Sequence, residues 1–323
     1  MSVLDSVRAD NALSFDRGVA RRYVHRWAVS EVFLTDLRVL DDRTSWLAAM
    51  LPTAHAYYGD HTGPGGLVDS MAVMECARQA ATYLAHEGLG VPLDSAFLVA
   101  SWGLRLTGEA WPYLGSRPGR LSIEATVDRT VRRGVVRGAE FEMRLWLDGR
   151  ALATVDIDAR YTPAAEAELV RRYRRASAPP FSDSLPAVPP GRPVAPAAVH
   201  RSDPANVVLF DVATAEDRTT ARIGTRPTHR GFYDHPQDHY TAMILMEAAR
   251  QMGLLVTGGA DGPPRAVTAY AARFHQFAEL DAPVVLDAPT PAGAGPTEIP
   301  VLVRQGDDVV SEIVVTVAPE ATR

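Results

Sequence analysis

The sequence predicts an α+β chain built twice over: two tandem units, each a long central helix wrapped by a curved antiparallel β-sheet. Three observations carry this. The hexapeptide MECARQ at 74–79 returns as MEAARQ at 246–251. Each copy lies in a run, DSMAVMECARQAATYLAHEG or YTAMILMEAARQMGLLVTGG, that is apolar nearly all round, the composition of a helix enclosed by other structure. Each run is followed by segments in which apolar and polar residues alternate, the period of a half-buried sheet.

The elements follow in matching order. The first block opens with the strand-like SEVFLTDLRVL, passes the turn-rich HAYYGDHTGPGG and enters the helix near 70–87. Asp69 is a plausible cap for that helix and Gly88 a plausible stop. Four strand candidates come next: FLVASWGLRLTG, RLSIEATVDRTV, VVRGAEFEMRLWL and ALATVDIDARY, with Leu121, Ile123, Ala125 and Val127 on one face. The second block offers ANVVLFDV, TTARIGT, the turn-rich THRGFYDHPQDH, a helix near 240–257 stopped by Gly258, and then AVTAYAARFHQF, PVVLDA, EIPVLVRQ and DVVSEIVVTVA. His55 and His61 enclose Tyr57, Tyr58 and Asp60, as His229 and His235 enclose Phe232, Tyr233 and Asp234, and a second coincident pattern makes duplication the natural reading. Between the blocks, residues 162–204 are dense in proline and alanine without apolar period, which reads as a short helix and a semi-extended linker. The expected divisions are 20–163, 164–204 and 205–319.

Composition narrows the chemistry. The 323 residues suffice for two domains with their own cores. No stretch has the length and apolarity of a membrane span or the layout of a leader, so a soluble, cytoplasmic protein is expected. Net charge is −6, which gives no global basic field for nucleic acid. The single cysteine, Cys76, excludes a disulfide framework and reads as a small buried hydrophobe. The chain contains no lysine, which removes lysine-based phosphate loops, Schiff bases and lysine-anchored pyridoxal phosphate. There is no GxSxG elbow, and PAGAGP sits in a proline-rich turn, so no cofactor is expected.

Within each apolar helix the sequence sets Glu, then Arg three later and Gln four later, all on one face: Glu75, Arg78 and Gln79, then Glu247, Arg250 and Gln251. An enclosed carboxylate needs partners. One reading makes both pairs structural ion pairs; the other makes them a site, because histidines and aromatics precede each. Metal sets from His55, Asp60 and His61, or from Asp234, His235 and His239, have acceptable donors but no fixed ligand spacing, and no metal is expected.

SEVFLTD, PTAHAYYGDH and DSMAVMECARQAATYLAHEGLGVPLDSAFLV resemble the N-terminal half of the AfsA-like family, the A-factor biosynthesis hotdog proteins, and FYDHPQDHYTAMILMEAARQ resembles its C-terminal half. The resemblance covers residues 24–107 and 225–277. It implies a tandem hotdog acyltransferase that moves a β-ketoacyl group from acyl carrier protein to the hydroxyl of dihydroxyacetone phosphate, the first step towards γ-butyrolactone, butenolide or furan signals. Ser70, Ala72 and Cys76 depart from the family's usual residues, which bears on acyl-chain selectivity.

The residues suit such chemistry. A base, oxyanion donors and a cation for phosphate are required. Desolvation can raise a glutamate towards neutrality, although a paired arginine opposes it. The second repeat is favoured as the working site, with Glu247 as base, Arg250 holding phosphate and His235 or His239 as assisting acid; Glu75 and Arg78 are the duplicate. Gln251, Gln79, His239, His61 and His229 are candidate substrate-binding residues, against a plain role in turns for the histidines. Arginine clusters in VRRYRR at 170–175 and at Arg129, Arg132, Arg133 and Arg137 are candidates for docking an acidic carrier. Hotdog units usually pair helix beside helix, so the pair can form within one chain, with a homodimer as a further step. Two alternatives stand beside this. The spacing of His61 and Glu75 is similar to that of hotdog β-hydroxyacyl-thioester dehydratases, with a thioesterase on the same fold; a non-catalytic acyl-binding or scaffold protein is the other.

Overall fold

The computed structural model describes residues 13–61, 67–107, 117–175, 177–258, 265–291 and 296–319. The glycines of HTGPGG and of PAGAGP that follow His61 and Pro291 lie outside the described residues. The chain divides into two compact units: Met1–Thr53 with Ala72–Ala178, and Ala54–Met71 with Pro179–Arg323. No helix among the described residues is long and apolar enough to cross a membrane.

In the first unit, β1 (Leu34–Val39) and β2 (Thr44–Met50) precede α1 (Ser70–Glu87). Then follow β3 (Ser95–Leu106), β4 (Arg120–Arg132), β5 (Val135–Leu147), β6 (Arg150–Pro163) and α2 (Ala164–Arg174). The strands form an antiparallel sheet in the order β1-β2-β4-β5-β6-β3. Leu121, Ile123, Ala125 and Val127 alternate into the core as the sequence period requires. β2 escapes that reading because TSWLAAM is buried continuously along its middle and is rich in alanine, a weak strand former. Its Trp46 packs with Leu13 and Ala48. From Ser70 to His86 only Arg78 and Tyr83 of α1 reach solvent. Asp69 accepts the Met71 N–H at 2.7 Å as a cap, and at the far end the Gly88 and Leu89 N–H groups both return to Leu84 O.

The second unit repeats the plan. It runs β7 (Leu209–Ala215), β8 (Arg218–Ile223), β9 (His239–Tyr240), α3 (Ala242–Thr257), β10 (Arg265–Phe274), β11 (Ala278–Glu279), β12 (Val284–Pro289), β13 (Thr297–Gln305) and β14 (Asp308–Pro319). Its sheet order, β10-β14-β13-β12-β8-β7, is the order of the first unit element for element, and only the short pair β9 and β11 stands apart. α3 packs on β7, β8, β10, β12, β13 and β14, so the sheet wraps the helix. Thr241 caps it, its side chain accepting the Ile244 N–H. The tandem hotdog architecture anticipated from the sequence is therefore the one observed. The stretch read as linker contains α2 and then folded chain: Pro193 bridges Phe210, Pro196–Val199 forms a 3-10 turn, and Arg201 is buried.

Gly253 marks the closest approach of α3 to its sheet. A Cβ there would meet Val315 Cγ2 at 2.5 Å and Val317 Cγ2 at 3.1 Å. Alanine gains about 1 kcal/mol of helix propensity, but overpacking against stiff β-branched neighbours costs about 1–3 kcal/mol. Gly253→Ala is expected to lower the denaturation midpoint in urea, and an unchanged or raised midpoint would show that the helix can lift off the sheet without cost.

Candidate active site

Each helix carries its glutamate inwards, and each glutamate is met by an arginine from a distant turn. Val24-His25-Arg26 follows the 3-10 turn Arg21–Val24, and Val199-His200-Arg201 follows Pro196–Val199. Both histidines sit in the left-handed region, His25 at φ 52° and His200 at φ 55°. That conformation costs an L-residue about 1–2 kcal/mol, and the chain reversal it makes sends the next side chain into the unit. The tripeptide VHR occurs twice in the sequence, and that recurrence was the available signal for Arg26 and Arg201, which sequence reasoning missed.

In the first unit Glu75 is fully buried. It accepts from Arg26 Nη2 at 2.6 Å, Arg78 Nε and Nη2 at 2.8 Å each, and Gln79 Nε2 at 2.6 Å. Gln79 also accepts the Phe33 N–H and donates to Glu31 O, which fastens the entering strand to the helix. The second unit repeats this: Glu247 meets Arg201 Nη2 at 2.9 Å, Arg250 Nε at 2.7 Å and Gln251 Nε2 at 2.6 Å. Gln251 accepts the Val208 N–H and donates to Asn206 O.

The second cluster has additional members. Tyr57 Oη donates to Glu247 Oε2 at 2.9 Å, and its ring lies under the Arg201 guanidinium, whose carbon is 4.6 Å from the ring centre. Arg201 Nη1 donates to the carbonyls of Tyr57 and Asp60. Asp69, besides capping α1, receives Arg250 Nη1 on both oxygens at 3.2 Å. Neither Tyr57 nor Asp69 has a sequence signal for this role, because both reach Glu247 and Arg250 only through the fold.

The expected rise in glutamate pKa is reversed. Burial pushes both carboxyls up, but Arg26 and Arg78 hold Glu75 at about 2, and Arg201 and Arg250 hold Glu247 at about 2. A carboxylate with several charge-assisted donors stays ionised, so Glu247 is poorly suited to the role of base. The Cys76 thiol is pushed up, first by burial and then by Glu75.

The histidines divide. His55 Nδ1 accepts the Tyr57 and Tyr58 N–H groups, and His229 Nδ1 accepts that of Phe232, so both close turns. His229 Nε2 then donates to Asn206 Oδ1 at 2.7 Å, which links it through Asn206 to Gln251. His61 Nε2 donates to Leu67 O. His235 and His239 are each oriented by the preceding aspartate, Nδ1 to Asp234 at 3.1 Å and to Asp238 at 2.6 Å. Gln237 Nε2 lies 2.6 Å from His235 Nε2, so the amide donates and Nε2 keeps the lone pair. Asp60 is spent on the Ser202 and Asp203 N–H groups and on Asn206, and no group of three metal-ligating side chains occurs among the described residues.

Two hotdog units in one chain, each with an arginine-clamped glutamate on its central helix, define a tandem hotdog protein. The A-factor biosynthesis hotdog domain matches residues 7–163 and 183–319, and the chain belongs to that family. It is 30% identical over 296 residues to a 2-oxo-3-(phosphooxy)propyl 3-oxoalkanoate synthase of Streptomyces virginiae, covering 90% of this chain and 95% of that one. It is 31% identical over 306 residues to a synthase of the same name from Streptomyces coelicolor, covering 89% and 87%. Among solved structures, an oleoyl thioesterase from Lactobacillus plantarum shares the fold with a TM-score of 0.51 at 13% identity, over 86% of this chain and 98% of that one.

His229 makes the second unit acid-sensitive. Burial, then Arg201, depresses its pKa from 6.5 to about 4. Below 6.5 the unfolded chain takes up a proton that the folded chain refuses until about 4, so stability falls as pH drops through that window. The two glutamates act only lower, losing their contribution from 4.5 down to about 2. Thermal melts between pH 7 and 5 are expected to fall in the wild type and to flatten in His229→Asn, whose amide can accept the Phe232 N–H without titrating; parallel slopes would refute the assignment.

Proposed function

We propose that this chain transfers a β-ketoacyl group from acyl carrier protein to the hydroxyl of dihydroxyacetone phosphate, the first step towards a γ-butyrolactone- or butenolide-type signalling molecule. The observation that carries the reading is family membership through both repeats, with relatives about 30% identical over some nine-tenths of the chain. The relatives' name describes the ester that this transfer makes. The hydroxyl oxygen attacks the thioester carbonyl, the C–O bond forms, the C–S bond breaks, and the hydroxyl proton passes to the departing thiolate.

The roles follow from charge and geometry. Arginine forks suit a phosphate dianion, and Glu75 and Glu247 hold those forks in place rather than accept protons. The base moves to His235: its Nδ1–H on Asp234 fixes the tautomer, and Nε2, which accepts the Gln237 amide at 2.6 Å, takes the hydroxyl proton once the substrate displaces that amide. His239 on Asp238 repeats the arrangement. Mass spectrometry of the protein with a β-ketoacyl-pantetheine thioester and dihydroxyacetone phosphate is expected to show the phosphorylated ester, with His235→Gln slower by about 100-fold. Hydrolysis or dehydration in place of ester formation would replace the reading with a thioesterase or dehydratase.

The carrier is acidic, so docking on a net-acidic chain calls for a local basic face. Arg171 of α2 is buried and Arg172 pairs with Glu168, which weakens the VRRYRR cluster; the Arg174 side chain lies outside the described residues. The β4–β5 hairpin presents Arg129, Arg132 and Arg133 exposed, with Val131 and Val135 half exposed beside them. Reversing Arg132 and Arg133 to glutamate is expected to raise KM for the carrier-bound substrate and leave the pantetheine thioester unaffected, with the difference shrinking at high salt. An equal response of both substrates would remove the hairpin from docking.

A further inference from the structure

The two clusters share a plan but differ in what they leave open. In the second, every guanidinium nitrogen faces a buried acceptor. Arg201 gives Nε and Nη2 to Glu247 and Nη1 to the carbonyls of Tyr57 and Asp60. Arg250 gives Nη2 to Glu247 and Nη1 to Asp69, and its Nε is ion-paired with Glu247 Oε2 at 2.7 Å. Two arginines face two carboxylates, and the second oxygen of Glu247 also takes the Tyr57 hydroxyl. The Arg201 side chain is 0% exposed and that of Arg250 10%. A phosphate entering here would have to displace a buried carboxylate or a buried carbonyl.

The first cluster is open on one side. Arg78 spends Nε and Nη2 on Glu75 and Val24 O, and its Nη1 donates to none of the described residues. Its side chain is 21% exposed, the most of the four clamping arginines, and that of Arg26 is 12% exposed. Glu75 and Val24 O hold Nε and Nη2 in place and leave Nη1 as the unspent nitrogen, so an anionic acceptor meets a charged donor already oriented. The sequence diverges where the second cluster closes: aligned on the histidine and glutamate of each copy, Tyr57 stands where the second copy has Gly231, and Asp69 where it has Thr241.

We propose that the first cluster receives the phosphate monoester of the acceptor substrate on Arg78, with Arg26 as a positioning residue that holds Glu75, and that the second cluster is a closed structural strut. This rests on the proposed acyl transfer for the identity of the ligand, and it reverses the preference for the second repeat drawn from sequence.

The test is phosphate binding, measured apart from turnover. Inorganic phosphate and glycerol 3-phosphate are titrated by calorimetry against wild type, Arg78→Gln, Arg78→Lys, Arg250→Gln and Tyr57→Phe. Binding is expected to weaken by about ten- to a hundred-fold in Arg78→Gln, the size of a lost charge-assisted contact, and to recover in part in Arg78→Lys. Tyr57→Phe loses one hydroxyl within the strut and is expected to bind as wild type, even if Arg250→Gln fails to fold. KM for dihydroxyacetone phosphate is expected to rise in Arg78→Gln alone. No phosphate binding in wild type, or loss in Tyr57→Phe or a folded Arg250→Gln with Arg78→Gln unaffected, would overturn the assignment. Equal losses in both repeats would overturn the division of labour. Phosphate binding through Arg78 without ester formation would sink the proposed reaction and leave this site standing; ester formation unaffected by Arg78→Gln would do the reverse.

Discussion

A carboxylate at the middle of an apolar helix is the constraint on which each unit depends. Glu75 and Glu247 have no exposed surface, and an ion so placed, once a partner is removed, destabilises a protein by about 3–5 kcal/mol. Each unit answers with one arginine a single turn along the same helix and another from the VHR turn. The second arginine matters more to the architecture. It ties a segment with little regular structure to the central helix, and the left-handed histidine before it is the strain accepted to aim it. The glutamines complete the tie by binding the backbone that leads into the next strand: Phe33 and Glu31 ahead of β1, Val208 and Asn206 ahead of β7.

Much of this was legible in the sequence because it is written locally. The hexapeptide, the apolar helices and the strands from β3 to β14, the short β9 and β11 excepted, depend on residues near one another in the chain. β2 did not declare itself, since a strand with a continuously buried middle and two adjacent alanines carries no period. The site was half legible. Glu75, Arg78, Gln79 and their copies share one helix face and can be read from spacing, whereas Arg26, Arg201, Tyr57 and Asp69 join through the fold. Arg201 was hidden further by its setting, a proline- and alanine-rich stretch that looks like a linker and is chain packed against α3.

The sign of the glutamate pKa turned on the same omission. With one arginine in view, burial and pairing are rival effects of similar size. With two arginines and a glutamine amide on each carboxylate, pairing wins, and the glutamates become anchors for cations. This moves proton transfer elsewhere and makes the arginines the groups that can meet a substrate.

Duplication then explains why the chain writes the phrase twice yet uses it in two ways. Both copies keep the clamp because both helices bury a carboxylate, and loss of either arginine would strand it. Beyond that shared requirement the copies are free to diverge. In the second, Tyr57 and Asp69 close the electrostatic ledger of two cations against two anions, and the helix gains a rigid, neutral anchor. In the first, Arg78 stays partly exposed and keeps Nη1 unspent. A cluster neutral within itself attracts no anion, whereas a guanidinium with an unspent nitrogen, pinned by a carboxylate that stays ionised well below neutral pH, is a standing site for one. What closes the second cluster is one carboxylate and one phenol, Asp69 and Tyr57, set on a scaffold built to the same plan as the first.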